Sequence, residues 1–150
     1  QLYGGNQKVS ILQEIDYLKT YIALRKLRMS ERLRLRVEFP PELNELNIYP
    51  LLFLPLVENA FKYVGGDYQL DIIMKWENNR ISLFIRNSIP ELSAEDEALR
   101  KSVDERQRKG IGLVNLRRRL SLLYPSKHRL ETRKEETEFV AELMIEIEDI

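Results

Sequence analysis

Leu54-Pro-Leu-Val-Glu-Asn-Ala-Phe-Lys-Tyr-Val64 is the stretch around which the chain is organised. At about 100° per residue, Phe53, Val57, Ala60 and Val64 fall within an arc of about 60°, the core-facing stripe of a helix. Glu58 and Lys62 stack on roughly the opposite face, and Asn59 and Tyr63 lie on the flank between them. An acid, a carboxamide and a lysine therefore share one end of an otherwise apolar helix, which packing alone does not require. Pro55 sits inside the apolar pattern and removes a backbone donor, so the helix either starts near it or is kinked there. Gly65-Gly-Asp67 ends the helix.

Upstream, Ser10 is a candidate N-cap with Gln13 placed for a capping box. The segment from there to about Met29 has helical period. Ile11, Ile15, Leu18, Ile22 and Met29 form one stripe, widened by Tyr17, Tyr21, Leu24 and Leu27. So wide an apolar surface fits either a helix shared with upstream helices or one packed only on its own domain. Arg32 to Phe39 alternates strictly, with arginines and Glu38 on one side and Leu33, Leu35, Val37 and Phe39 on the other, the pattern of a half-buried strand. Without interleaved aromatic residues or a second basic element, the arginine row reads as a solvated strand face, and no nucleic-acid partner is expected.

Downstream, Tyr68–Glu77 and Arg80–Asn87 flank Asn78-Asn79, an antiparallel hairpin with a two-residue turn. Residues 88–109 are charged and poor in large apolar side chains, as a lid over a site would be. Lys109-Gly-Ile-Gly-Leu-Val-Asn115 leads from that loop into a helix whose stripe is Leu113, Leu116, Leu120 and Leu123. Glycines at a helix start admit a close backbone approach, and the free N–H groups there favour an anion. Of Arg117, Arg118 and Arg119, at least one is expected to face solvent, and another is a candidate for a phosphate contact. His128–Arg133 and Glu138–Ile147 make a last strand pair, with His128 expected in an exposed loop before it.

The 150 residues suit one domain with one core. Twenty-four basic and 24 acidic residues cancel, so bulk charge does not recruit nucleic acid. Cysteine is absent, which excludes disulfides and thiolate chemistry, and the single histidine excludes a multi-histidine metal site within one chain. No apolar run reaches the length of a membrane span. A first residue other than methionine points to a piece of a longer protein. The succession of helix, strand, helix, hairpin, loop, helix and hairpin predicts an α+β sandwich, a mixed but mostly antiparallel sheet with helices on one face and a more polar second face. Within it, a carboxamide suited to Mg²⁺ beside phosphate oxygens, a lysine charge and a glycine-led helix start together favour a nucleotide site.

Pro55-Leu-Val-Glu-Asn-Ala-Phe-Lys-Tyr63, followed by Gly110-Ile-Gly-Leu-Val-Asn-Leu-Arg-Arg-Arg-Leu120, resembles the N-box and G-box of sensor histidine kinases. The closer resemblance is to the LytS-like kinases of the GHKL ATPase superfamily. Leu12–Ile22 with Leu27-Arg28 is similar to the helix that follows the phosphoacceptor helices in that family, and Leu122-Leu-Tyr-Pro125 is similar to its usual G-box ending. The resemblance implies a Bergerat-type ATP-binding fold at 31–150 and a connecting helix at 1–30. Asn59 would hold Mg²⁺, Glu58 would be the N-box acid assisting transfer, and Lys62 would contact phosphate. Tyr63 would stand beside the nucleotide, and Gly110, Gly112 and Leu113 would form the phosphate-side turn of the lid.

The implied ligands are ATP and Mg²⁺. The implied partners are a response regulator and a second copy joined through upstream helices, in the cytoplasmic part of a membrane-anchored kinase. Two departures qualify the match. The family's aspartate-glycine motif is replaced by Asn87-Ser-Ile-Pro90, so Asn87 would accept the adenine amino group without charge. The phosphoacceptor histidine is not in this sequence, which is therefore not expected to phosphorylate itself. A degenerate GHKL module serving as a non-catalytic scaffold is the competing reading. A DNA-repair or chaperone ATPase of the same superfamily fits the connecting helix less well.

Overall fold

The computed structural model describes residues 7–41, 43, 46–91 and 111–147. In chain order these form β1 (Val9–Ser10), α1 (Ile11–Arg28), β2 (Arg34–Glu38), β3 (Asn47–Ile48), α2 (Leu54–Tyr63), β4 (Gln69–Glu77), β5 (Arg80–Ser88), α3 (Ile111–Leu123), β6 (His128–Lys134) and β7 (Glu138–Glu146). Five strands make one sheet in the order β2-β4-β5-β7-β6. Its pairings are antiparallel except β2 with β4, which are parallel, and the chain between those two strands carries α2. A parallel pair needs a long connection, and here that connection delivers the central helix of the domain.

The hairpin forms as its sequence dictates. Asn78 and Asn79 both adopt left-handed backbone angles (φ 52° and 62°), the geometry of a type I′ turn, which asparagine tolerates better than most residues. That turn fixes the register, setting Ile72 opposite Ile85, Met74 opposite Leu83 and Trp76 opposite Ile81. These apolar residues point to the side covered by the helices. There they share one core with Ile11, Ile15, Leu18 and Ile22 of α1, Val57, Ala60 and Phe61 of α2, and Leu116 and Leu120 of α3.

The α+β expectation holds, mixed sheet included, and Pro55 resolves simply. It lies in the first turn of α2, where its missing N–H would have had no helical partner. Ser10 caps α1 as expected, its hydroxyl accepting from the Leu12 N–H at 3.2 Å. The short ribbon β1–β3, Val9 against Ile48, has no counterpart in the sequence pattern, being too short to show alternation.

The second sheet face is less uniformly polar than its sequence implies. Asp71 on β4 is buried there (1 % exposed) against Arg86, its cross-strand partner, at 2.5 Å. Val140, opposite Arg86 on β7, is 1 % exposed although alternation places it outward. His128 also departs from expectation. It opens β6 rather than lying in an exposed loop, half-buried, with Nδ1 2.7 Å from the Tyr124 carbonyl oxygen.

Candidate functional site

The core of α2 is wider than the four-residue stripe, since Leu56 and Phe61 are buried alongside Val57 and Ala60. This confines the polar side chains to what remains of the helix surface. Glu58 and Lys62 are exposed, and Asn59 and Tyr63 are half-buried, so all four occupy one contiguous arc. The Lys62 ammonium lies 5.5 Å from the centre of the Tyr63 ring.

Just beyond Tyr63 the helix meets the end of β5. Val64 caps it, and the N–H of Gly65 donates to the Ser88 carbonyl at 2.9 Å. The Ser88 hydroxyl donates to the Gly65 carbonyl at 2.7 Å and accepts from the Gln69 N–H at 2.8 Å. Gly66 has φ +60°, and a Cβ there would stand 2.8 Å from the carbonyl oxygen of Ile89. Both the backbone sign and the close approach require glycine.

This join sets Asn87 beside the C-terminal end of α2. Asn87 follows Ile81, Leu83 and Ile85 on the helix-covered face of β5 and is 1 % exposed. Its amide makes one long hydrogen bond, 3.4 Å to the Ser88 carbonyl, and its side-chain oxygen has no partner among the described residues. Among the described residues this leaves a buried acceptor open to a donor. An exocyclic amine would be a suitable donor to it.

The glycine-led side is only partly in view. Gly110 and the lid expected at 88–109 fall largely outside the described residues. Gly112 lies in the first turn of α3, and Leu113 is half-buried against the core. Two of the three arginines have structural partners. Arg117 donates to the Leu130 carbonyl at 3.2 Å, and Arg119 donates to the carbonyls of Pro50 and Leu51 at 2.9 and 3.3 Å. Arg118 is exposed. Among the described residues no cluster of three or more acidic, histidine or cysteine side chains is placed to hold a metal.

The catalytic domain of the histidine kinase ThkA superposes on this chain with a TM-score of 0.65, at 16 % identity, covering 94 % of this chain and 96 % of that one. The fold is that of a histidine-kinase catalytic domain. Full-length ShkA, solved in complex with AMPPNP, contains the same fold (TM-score 0.62, 15 % identity, 96 % of this chain and 32 % of that one). In sequence, the sensor protein kinase HptS of Staphylococcus aureus is 28 % identical over 134 residues, which is 86 % of this chain and 26 % of HptS. The chain thus spans about a quarter of the length of the curated relatives it matches. No family model matches it. No described helix is long and apolar enough to cross a membrane.

Within this kinase fold, sequence reasoning missed two residues. Ser88 was overlooked as the clasp that draws Asn87 toward α2. Glu14 was overlooked although it lies between Ile11 and Leu18 on the apolar stripe of α1, where a carboxylate is out of place.

Proposed function

We propose that the chain is the ATP-binding catalytic domain of a two-component sensor histidine kinase of the LytS-like kind. It binds Mg-ATP so that the γ-phosphoryl group passes to a histidine elsewhere in a longer protein. The observation that carries this reading is the meeting of the polar arc of α2 with the buried Asn87 oxygen, on a histidine-kinase fold. ShkA, which shares the fold, was solved with an ATP analogue, and HptS is a sensor kinase by name; both support the reading.

In this assignment the Asn87 oxygen accepts the adenine amino group, and Tyr63 lies beside the nucleotide. Asn59 would hold Mg²⁺, Lys62 would contribute positive charge to the phosphates, and Glu58 would assist transfer at the exposed edge. Gly110, Gly112 and Leu113 line the phosphate side, where a helix start favours anions. Bound Mg²⁺ supplies the charge that neutralises the phosphate oxygens during transfer. The chain's own residues orient the nucleotide and exclude water around the base. The longer protein pairs through helices upstream of α1, is membrane-anchored, and passes its phosphoryl group to a response regulator.

Calorimetry on the wild-type chain and Asn59→Ala tests the assignment. Mg-ATP should bind the wild type, and the variant should lose about tenfold or more in affinity, with the loss abolished when EDTA replaces Mg²⁺. Absence of binding by the wild type at millimolar Mg-ATP sinks the reading. Equal, Mg²⁺-dependent binding by both proteins removes Asn59 from the metal site.

A further inference from the structure

Helices α1 and α2 run side by side in the same direction, and α1 grips α2 at both ends. At the far end, the Tyr21 ring meets Phe61 edge-on with centroids 6.2 Å apart, and the Arg25 guanidinium lies 5.3 Å over the Phe61 ring. At the near end the contact is polar. Glu14, 7 % exposed, accepts the Leu51 N–H at 2.5 Å through Oε1.

Leu51 belongs to the strap of residues that leads into α2; Leu52 and Phe53 of the strap are buried in the core, and side chains of other elements bind its backbone polar groups. From α3, Arg119 takes the carbonyls of Pro50 and Leu51. The hydroxyl of Tyr124, just past α3, accepts the Tyr49 N–H at 3.1 Å. At the N-cap of α2, Phe53, there is no side-chain cap hydrogen bond. Its start is therefore set by the burial of Leu52 and Phe53 together with the bonds from α1 and α3.

Two unfavourable features coincide on this strap. Leu51 has φ +61°, a backbone region disfavoured for any residue with a side chain, and it is 45 % exposed, so no burial of its own side chain compensates. Glu14 is a carboxylate on an apolar face, and burial raises its pKa despite the Leu51 hydrogen bond and the nearby Arg119 charge. Such features persist where the surroundings over-determine them, and they gather at sites whose geometry matters. Asn59 lies eight residues beyond Leu51, the last five of them, about 7.5 Å, along the helix α2. A displacement of the strap is delivered there with little loss.

We propose that Glu14 is a positioning residue for the nucleotide site: through the Leu51 strap, α1 sets the axial and rotational position of α2 and hence of Asn59 and Lys62. The proposal rests on the nucleotide reading of that site. It makes α1 a control element, because movement of α1 changes nucleotide affinity without any contact between α1 and the ligand. The coupling path is short and consists of named bonds, from the Glu14 carboxylate to the Leu51 amide to the α2 axis.

The test compares wild type, Glu14→Ala, Glu14→Gln and Arg119→Ala in the whole chain. Mg-ADP affinity is measured by calorimetry, and the side-chain amide resonance of Asn59 by NMR without nucleotide. Glu14→Ala should weaken Mg-ADP by about tenfold and shift the Asn59 resonance. Glu14→Gln keeps an acceptor for the Leu51 N–H and should recover affinity to within about threefold of wild type. Arg119→Ala, which frees the other side of the strap, should act in the same direction as Glu14→Ala and stands in for it if that variant does not fold. Wild-type affinity together with an unmoved Asn59 resonance in both alanine variants overturns the proposal. If the wild type binds no Mg-ADP, the nucleotide reading fails, and the resonance alone decides: a shift upholds the positioning role and an unmoved signal ends it.

Discussion

Ser88 and Gly65 hold each other reciprocally. The Gly65 N–H donates to the Ser88 carbonyl, and the Ser88 hydroxyl donates back to the Gly65 carbonyl. The same hydroxyl accepts from Gln69, the first residue of β4, so one side chain ties the end of α2, the end of β5 and the start of β4 together. Ser88→Ala leaves the Gln69 N–H without its acceptor and should cost about 1–3 kcal/mol. Urea unfolding should show a lower midpoint with an unchanged slope.

Asn87 predicts a separation of stability from binding. Its amide is buried and poorly bonded, so Asn87→Leu, of similar size, should leave stability unchanged or raise it. The same change removes the acceptor assigned to the adenine amine and should weaken Mg-ATP by about tenfold. Thermal unfolding and calorimetry on the same preparation check both halves. Lower stability with undiminished affinity would show that the amide serves the fold and not the base.

The Asp71–Arg86 pair behaves asymmetrically. The Asp71 side chain is 2 % exposed and that of Arg86 41 %, and Gln69 donates to the other carboxylate oxygen at 2.9 Å. Arg86→Leu strands a buried charge and should cost about 3 kcal/mol, the lower end for such pairs because the guanidinium is part-exposed. Adding Asp71→Leu should restore most of that loss. A double-mutant cycle by chemical denaturation measures the coupling directly.

Glu14 gives the domain a pH signature. Burial holds its folded-state pKa above the usual carboxylate value, so between the two values the folded chain binds more protons than the unfolded one. Stability contributed by this group is therefore present at mildly acid pH and is lost as pH rises through the raised pKa. Arg119 is the charge that faces it. In Glu14→Gln the group does not titrate. The melting temperature of wild type minus that of the variant should fall as pH goes from mildly acid to neutral, and a flat difference contradicts the assignment.

Much of the fold was legible because local signals agreed. The alternation of β2, the Asn78-Asn79 turn and the leucine stripe of α3 each declare one element, and the structure contains all three. The polar arc of α2 was legible for the same reason, since helical period alone separates Glu58, Asn59, Lys62 and Tyr63 from the core. What escaped was tertiary. Nothing in the spacing of Ser88 or Glu14 says which distant backbone amide each will bind, and Val140 is buried by neighbours that its own strand does not predict. The arginines show the limit most plainly. Three in succession invite a phosphate, yet Arg117 and Arg119 hold backbone carbonyls that only the folded chain brings near.

The two outer strands of the sheet have one further consequence. Among the described residues strands β2 and β6 have unpaired edges, and an open edge is a template on which a second chain can add a strand. Each bears a row of charges at alternate positions: Arg34, Arg36 and Glu38 on one, and Arg129, Glu131 and Arg133 on the other, all exposed. Neighbouring members of each row pair within their own strand, Arg36 with Glu38 and Arg129 with Glu131. A strand added alongside would have to align its own residues against these fixed, hydrated ions. The arginine row that first invites a search for a binding partner is thus the kind of charged edge that disfavours pairing with a second sheet.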